Sequence, residues 1–548
     1  MSARITPRIT PCITPRSALV LLALTCAAPA LAGPFGARMT YAADPATSIA
    51  ISWNSDDALD TEVHYGSAPD ALDQTFTVQA ADVHVMADPL LNAVSARIGG
   101  LAPATTYFFK VGHGAALYPA AALSFTTLSD DPCAPLRFAV LGDNRTDTPF
   151  GDSGVSPIYA GIIGEAAATA PQFFVNTGDM VRDGSHPTQW KNLLLASEPT
   201  WSAFPSMLTV GNHDGKGGDG DGGEYNHLFE LPRNSAIATE DFYSIDAGPV
   251  HFVSLNTQHT DGTQLPEMAA WLDQDLAATA QPWKIVFFHK AIYSRGSHHT
   301  GEENNGAINA ALVPLFDAHH VDLVLNGHSH NYERFVPSTG VDAAFGGTGR
   351  TYPAGDATAL DPAADLPDGN TATTYVVTGG GGALTTDIPG FDQPCIDASC
   401  SFCLGAGHGV CDATVYDQDV AANLVYDGSH HFVSIVIEGG RLEAQVIATD
   451  TGNTGAGGPI DAFAIAKPTF NACAVPTGEG EGEGNVGEGE GEGEGEGEGE
   501  GEGEGEGEGE GEGEGQASPA PGGCGCGAVQ SPPVLLALIL VARRRRSR

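Results

Sequence analysis

The chain has 548 residues, with 68 Asp and Glu against 24 Lys and Arg, a formal net charge of -44, 71 glycines and 10 cysteines. A Gly-Glu tract over 478–515 holds 17 of the acidic residues and the terminal segments hold 8 of the basic ones, so residues 33–477 carry 51 acidic and 16 basic residues. That balance excludes a binder of nucleic-acid backbones or anionic membranes, both of which require clustered Lys and Arg, and the 42% apolar content excludes wholesale disorder.

At the start of the chain Arg4, Arg8 and Arg16 precede an apolar run over 18–24, and Ala30-Leu31-Ala32 supplies a small-x-small cleavage pattern before Gly33. Residues 1–32 therefore read as a secretory signal, and the protein is expected to be exported to the cell surface or medium. Residues 36–128 show short alternating runs, such as 48–53, 62–65 and 106–111, between Gly, Pro and Asp turns. This is the pattern of an all-β sandwich. From Leu136 onward, apolar strand-like runs alternate with helical patterns that begin at Ser156-Pro157, at Pro266 and at Gly306. The alternation predicts an α/β domain over 134–473.

Cys133, Cys395, Cys400, Cys403, Cys411 and Cys473 form an even set suited to disulfides in an exported protein. The four over 395–411 admit a second reading as a thiolate zinc site, although their spacing matches no common zinc ribbon. The tract over 478–515 is almost pure Gly-Glu; glycine entropy and like-charge repulsion prevent a packed core, so it reads as a stalk. Residues 516–548 contain Cys524-Gly525-Cys526, an apolar run over 534–542 and arginines at 543–546 and 548. The run is shorter than the ~20 residues a spanning helix needs, and the arginines would be held on the cytoplasmic side. The arrangement resembles bacterial C-terminal sorting tags of the MYXO-CTERM type, which implies transient membrane contact and surface attachment. An ordinary short membrane tail is the other reading.

The chemistry is concentrated after five apolar runs. Run 137–141 leads to Gly142-Asp143, run 172–176 to Gly178-Asp179, run 207–210 to Gly211-Asn212-His213-Asp214, run 283–288 to His289, and run 321–325 to Gly327-His328-Ser329-His330. In open α/β sheets the C-terminal strand edge is where ligands bind. Carboxylate, amide and imidazole donors gathered there suit Zn, Mn or Fe, and a carboxylate can bridge two ions. Gly379 to Gly382, after a run over 374–377, reads as a tight turn near this site.

This order of motifs resembles the calcineurin-like metallophosphoesterase superfamily. The runs over 288–294 and 327–334 resemble its purple acid phosphatase-related branch, and residues 100–107 resemble the end of the fibronectin type III-like domain that precedes the catalytic domain in those enzymes. The resemblance covers roughly 36–450. It implies an α/β catalytic domain of two packed sheets flanked by helices, preceded by an all-β sandwich, and a centre of two metal ions. Asp179 would bridge, with Asp143 and His330 on one ion and Asn212, His289 and His328 on the other. His213, beside Asp214, would protonate the leaving oxygen or stabilise the transition state, and His298 or His299 would contact phosphate.

Two positions depart from the pattern. Arg145 stands where the superfamily commonly has His, and Arg182 stands where purple acid phosphatases have Tyr. Arg145 suits a phosphate clamp or a structural ion pair. The expected function is hydrolysis of a small phosphate monoester. A phosphodiester, nucleotide or pyrophosphate substrate, and a catalytically silent surface binding protein, are the alternatives.

Overall fold

In the computed structural model the described residues are 33–86, 92–146, 153–215, 223–258, 264–296, 298, 305–352, 371–385, 421–449 and 457–467. The expected signal, the cysteine cluster over 395–411, the Gly-Glu tract, the C-terminal tag and His299 lie outside them. Cys133 is the one cysteine among the described residues and is disulfide-bonded.

Among the described residues, seven strands precede residue 130: β1 (Phe35–Thr40), β2 (Ser48–Asn54), β3 (Glu62–Gly66), β4 (Gln74–Thr77), β5 (Ala93–Gly99), β6 (Thr106–His113) and β7 (Ala116–Thr126). The next six are β8 (Leu136–Leu141), β9 (Phe173–Asn176), β10 (Ser206–Leu208), β11 (Tyr243–Ala247), β12 (Val250–Ser254) and β13 (Trp283–Phe288). The last seven are β14 (Leu323–Asn326), β15 (Tyr332–Phe335), β16 (Thr374–Thr378), β17 (Asn423–Asp427), β18 (His431–Glu438), β19 (Arg441–Ala448) and β20 (Gly458–Ala466). The helices are α1 (Tyr159–Ala167), α2 (Pro187–Trp201), α3 (Glu224–Leu228), α4 (Gln264–Ala278) and α5 (Asn305–His319).

The N-terminal strands fit a β-sandwich. Strands β4-β3-β6-β7 form one sheet, while β1, β2 and β5 form the other side, and Trp53, Val63, Phe109 and Phe125 from the two are buried in one core. The second side does not stop at residue 128. Strand β1 pairs in parallel with β10 through Thr40 and Ser206, so the order β20-β19-β18-β8-β9-β10-β1-β2-β5 is a single nine-stranded sheet shared with the catalytic region.

The other catalytic sheet has the order β11-β12-β13-β14-β16-β15-β17. The two sheets pack face to face: Phe252 of β12 meets Phe138 of β8 and Phe173 of β9 edge-on, at ring separations of 5.3 and 5.7 Å. Alternation sorts the other faces. On β13, Trp283, Ile285 and Phe287 point into this inter-sheet core, while Val286 and Phe288 join Leu272, Ile308, Leu312 and Phe316 of α4 and α5. A strand covered on both sides in this way reads as a continuous apolar run. Helices α1 and α2 contribute Tyr159, Ile163, Trp190, Leu193 and Leu194 to the first core.

The helix expected from Ser156 begins at Tyr159, with no side-chain cap. Ser156 instead donates its backbone amide to Asn144 O at 3.0 Å, which ties it to the loop after β8.

Candidate metal centre

Strands β8, β9 and β10 run parallel in one sheet, as do β13 and β14 in the other, and all five deliver their polar residues to one region. The turns there are tight. Asp143, Asp179 and His328 adopt left-handed backbone with φ of 57°, 56° and 72°, a conformation that costs a side-chain-bearing residue about 1–3 kcal/mol and persists where the surroundings enforce it. The enforcement is mutual. Asp143 N donates to Gly178 O at 2.8 Å, Gly327 N to His289 O at 3.0 Å, His328 N to Asp143 Oδ2 at 2.9 Å, and His213 N to Asp179 Oδ1 at 2.9 Å. Two glycines permit this approach: a Cβ on Gly211 would lie 2.2 Å from Asp179 N, and one on Gly327 would lie 2.4 Å from Asp143 Oδ2.

One cluster of donor atoms centres on His289. Its Nδ1–H donates to Thr177 O at 2.9 Å, which turns Nε2 inward. That Nε2 lies 3.0 Å from Asn212 Oδ1, 3.2 Å from His328 Nδ1 and 3.3 Å from Asp179 Oδ1. Four potential ligand atoms from four strand ends thus crowd one buried point, a set that suits a borderline divalent ion once His289 gives up its Nε2 proton. The site also attracts positive charge in its own right. Burial pulls the His289 imidazole down, but Asp179 and Asp143 outweigh it and hold it up at about 9.

The other half is built differently. His330 Nδ1–H donates to Leu384 O at 2.9 Å, and its Nε2 lies 3.6 Å from Asp143 Oδ1. Arg145 enters between these groups: its Nε donates to Asp179 Oδ2 at 3.0 Å and its Nη2 lies 3.1 Å from His330 Nε2. Asp143 Oδ1 is buried without a hydrogen-bond partner, an orphan acceptor of the kind that a bound cation satisfies. Burial pushes the Asp143 carboxyl well above its ordinary range. Burial would also raise Asp179, but His289, His213 and Arg145 overcome it and leave that carboxyl well below the usual value. Burial, reinforced by His298 beside His328 and by Arg145 beside His330, keeps both imidazoles well below their ordinary value. Both shifts favour the neutral imidazole, the form that binds metal.

The proposed acid–base pair divides. His213 Nδ1–H donates to Arg182 O at 2.6 Å, and its Nε2 faces Asp179 Oδ2 at 3.9 Å, so the ring addresses the site. Asp214 accepts from the amides of Met180, Val181 and Gly211 at 2.8, 3.1 and 2.9 Å. Its carboxyl is pushed up to about 7 by burial and then by Asp179. Half-buried His298 stacks on His328 with ring centroids 3.9 Å apart.

The Gly379–Gly382 turn lies against the centre. Gly379 N donates to Asn331 O at 3.2 Å, Gly381 N to Gly142 O at 2.9 Å and Ala383 N to Asp143 O at 2.7 Å. Sequence reasoning did not find Glu333, which is fully buried and accepts from Ser294 Oγ at 2.7 Å and Arg295 N at 2.9 Å. Ser294 Oγ in turn meets Ser329 Oγ at 2.8 Å, between the two ligand histidines. A Glu within the run over 327–334 was the available signal.

Residues 136–332 match the calcineurin-like phosphoesterase family, and residues 34–127 match the purple acid phosphatase N-terminal domain. The chain therefore carries a calcineurin-like phosphoesterase domain behind a purple acid phosphatase N-terminal domain, which supports a phosphoric ester hydrolase, and the fold implies a dinuclear metal centre. Among curated proteins it is 26% identical over 402 residues to an uncharacterized protein of Mycobacterium tuberculosis, covering 66% of this chain and 72% of that one. It is 25% identical over 295 residues to purple acid phosphatase 22 of Arabidopsis thaliana, covering 51% of this chain and 62% of the relative. Among solved structures, a purple acid phosphatase from yellow lupin seeds superposes with a TM-score of 0.56 at 19% identity, covering 80% of this chain and 75% of the lupin chain. That likeness concerns the fold.

Proposed function

We propose that the protein is an exported metal-dependent phosphoesterase that hydrolyses small phosphate monoesters at this centre. The observation that carries the reading is the convergence of Asp179 Oδ1, Asn212 Oδ1 and His328 Nδ1 within 3.3 Å of His289 Nε2. Imidazole, amide and carboxylate donors suit Zn, Mn or Fe. An ion held there supplies Lewis acidity toward a phosphoryl oxygen and neutralises its charge.

The chain's own groups do the rest. Thr177 O fixes the His289 tautomer and Leu384 O fixes that of His330, so each ring keeps Nε2 for the centre. Arg182 O fixes His213, whose Nε2 is placed to donate a proton or a hydrogen bond to the leaving oxygen. Arg145 adds a permanent positive charge beside Asp179. Together these answer the acidic composition: a phosphorylated substrate meets local positive charge within a chain of net charge -44. The monoester assignment rests on the purple acid phosphatase likeness, and export rests on residues 1–32. The C-terminal segment would give transient membrane contact during sorting.

The test is hydrolysis of matched aryl phosphate mono- and diesters by the purified protein loaded with Mn, Zn or Fe. Faster monoester turnover supports the proposal. A diester preference moves the substrate class, and no cleavage of either sinks the reading.

A further inference from the structure

We infer that Arg145 is a built-in cation standing in the place of the first metal ion, so that the centre binds a single ion, held by Asp179, Asn212, His289 and His328. This rests on the phosphoesterase reading for the location of the centre. A first ion would have to be held by Asp143, His330 and the bridging Asp179. The guanidinium already spans two of these: Nε is 3.0 Å from Asp179 Oδ2 and Nη2 is 3.1 Å from His330 Nε2. With Arg145 in place, the Nε2 lone pair of His330 accepts from Nη2, and the donor left unengaged for an ion is the orphan Asp143 Oδ1. One unengaged protein donor falls short of the three or four that hold a divalent ion firmly.

The arginine is not free to leave. Its residue is 7% exposed. Its backbone is pinned on both sides: Arg145 N donates to Asp179 O at 3.1 Å, Thr146 N to Gly154 O at 3.1 Å, and Arg145 bridges to Val155. The aim of the side chain is therefore set by the loop after β8.

Charge points the same way. Asp143 and Asp179 bring two negative charges at most, which one guanidinium and one divalent ion already exceed. A second divalent ion beside a trapped guanidinium would add repulsion at hydrogen-bond range in a buried site. The position two residues after the first Asp thus carries a cation in place of a further ligand.

The experiment is metal analysis of the full-length protein after equilibration with excess Mn²⁺ and gel filtration, read beside the electron paramagnetic resonance of the loaded protein. The wild type is expected to hold one ion per chain with the spectrum of isolated Mn²⁺. Arg145→His, which replaces the cation with an imidazole, is expected to double the stoichiometry and show a spin-coupled pair. Two ions or a coupled pair in the wild type overturn the inference, as does a single ion in an Arg145→His protein of wild-type circular dichroism. If that variant fails to fold, the wild-type stoichiometry decides alone. Failure of the functional reading looks different: one ion with no ester cleaved sinks the phosphoesterase proposal and leaves the arginine assignment standing, whereas cleavage with two ions does the reverse.

Discussion

His213 and Asp214 are neighbours in sequence and face opposite ways: the His213 ring turns Nε2 toward Asp179 at 3.9 Å, while the Asp214 carboxylate is buried against the amides of Gly211, Met180 and Val181. Their replacements should separate. His213→Ala is expected to lower kcat by roughly 10²–10⁴-fold, as for loss of a general acid, with metal content and melting temperature retained. Asp214→Ala leaves three buried amides without an acceptor and is expected to destabilise by about 1–3 kcal/mol per unsatisfied group. Urea unfolding and metal analysis on the two variants distinguish the roles.

Gly379 provides a steric test of the centre. A Cβ there would sit 2.1 Å from Ser329 O and 3.0 Å from Asp143 Oδ2. Both contacts lie beside the ligand His328, so the added methyl must push the loops after β14 and β8 away from the turn after β16. Gly379→Ala is expected to weaken metal affinity by about 10- to 100-fold, the scale seen when a ligand's support is lost. Metal titration followed by calorimetry checks this.

Colour is a third test. The residue three positions after Asp179 is Arg182, which offers no phenolate to a metal. The iron-loaded protein is expected to lack the visible charge-transfer band implied for a tyrosine ligand, and an absorption spectrum after iron loading decides it.

Away from the centre, His251 lies between Asp246 Oδ1 at 2.7 Å and Asp275 Oδ2 at 2.8 Å. Burial pulls its imidazole down, but the two carboxylates outweigh burial and hold it up at about 9. The ordinary value is 6.5, so the folded state binds the proton more tightly than the unfolded chain does. The stabilisation is complete below pH 6.5 and is lost as pH rises through about 9. A shift of this size corresponds to about 3 kcal/mol at most, and the solvent exposure of Asp246 reduces it to ~1–2 kcal/mol. Melting temperature should therefore fall between these pH values, and His251→Gln should flatten that fall.

The strand ends were legible because an apolar run followed by Gly and a metal-binding side chain shows in residue types alone. Strand β13 occupies the expected run 283–288, and α4 and α5 begin within two residues of their expected starts. Other features carry no side-chain signature. Thr177 and Leu384 act through backbone carbonyls, which every residue has. Helix α2 was not read: its N-cap is His186, which supplies no side-chain cap. The join of β1 to β10 is a long-range pairing through Thr40 and Ser206, and nothing local encodes it. Ser156 followed by Pro157 has the form of a helix start, yet its amide is held by the loop at Asn144. Arg145 was visible as a departure from the family pattern, whereas its place between Asp179 and His330 required the fold.

The most direct test of metal-dependent phosphate ester hydrolysis at this centre is the rate of aryl phosphate cleavage by the purified protein before and after chelation, with His328→Ala in parallel. The stripped protein should lose activity, regain it with Mn²⁺, Zn²⁺ or iron, and fail to regain it when His328 is replaced. An undiminished rate in the verified metal-free protein, or full reactivation of His328→Ala, would contradict it.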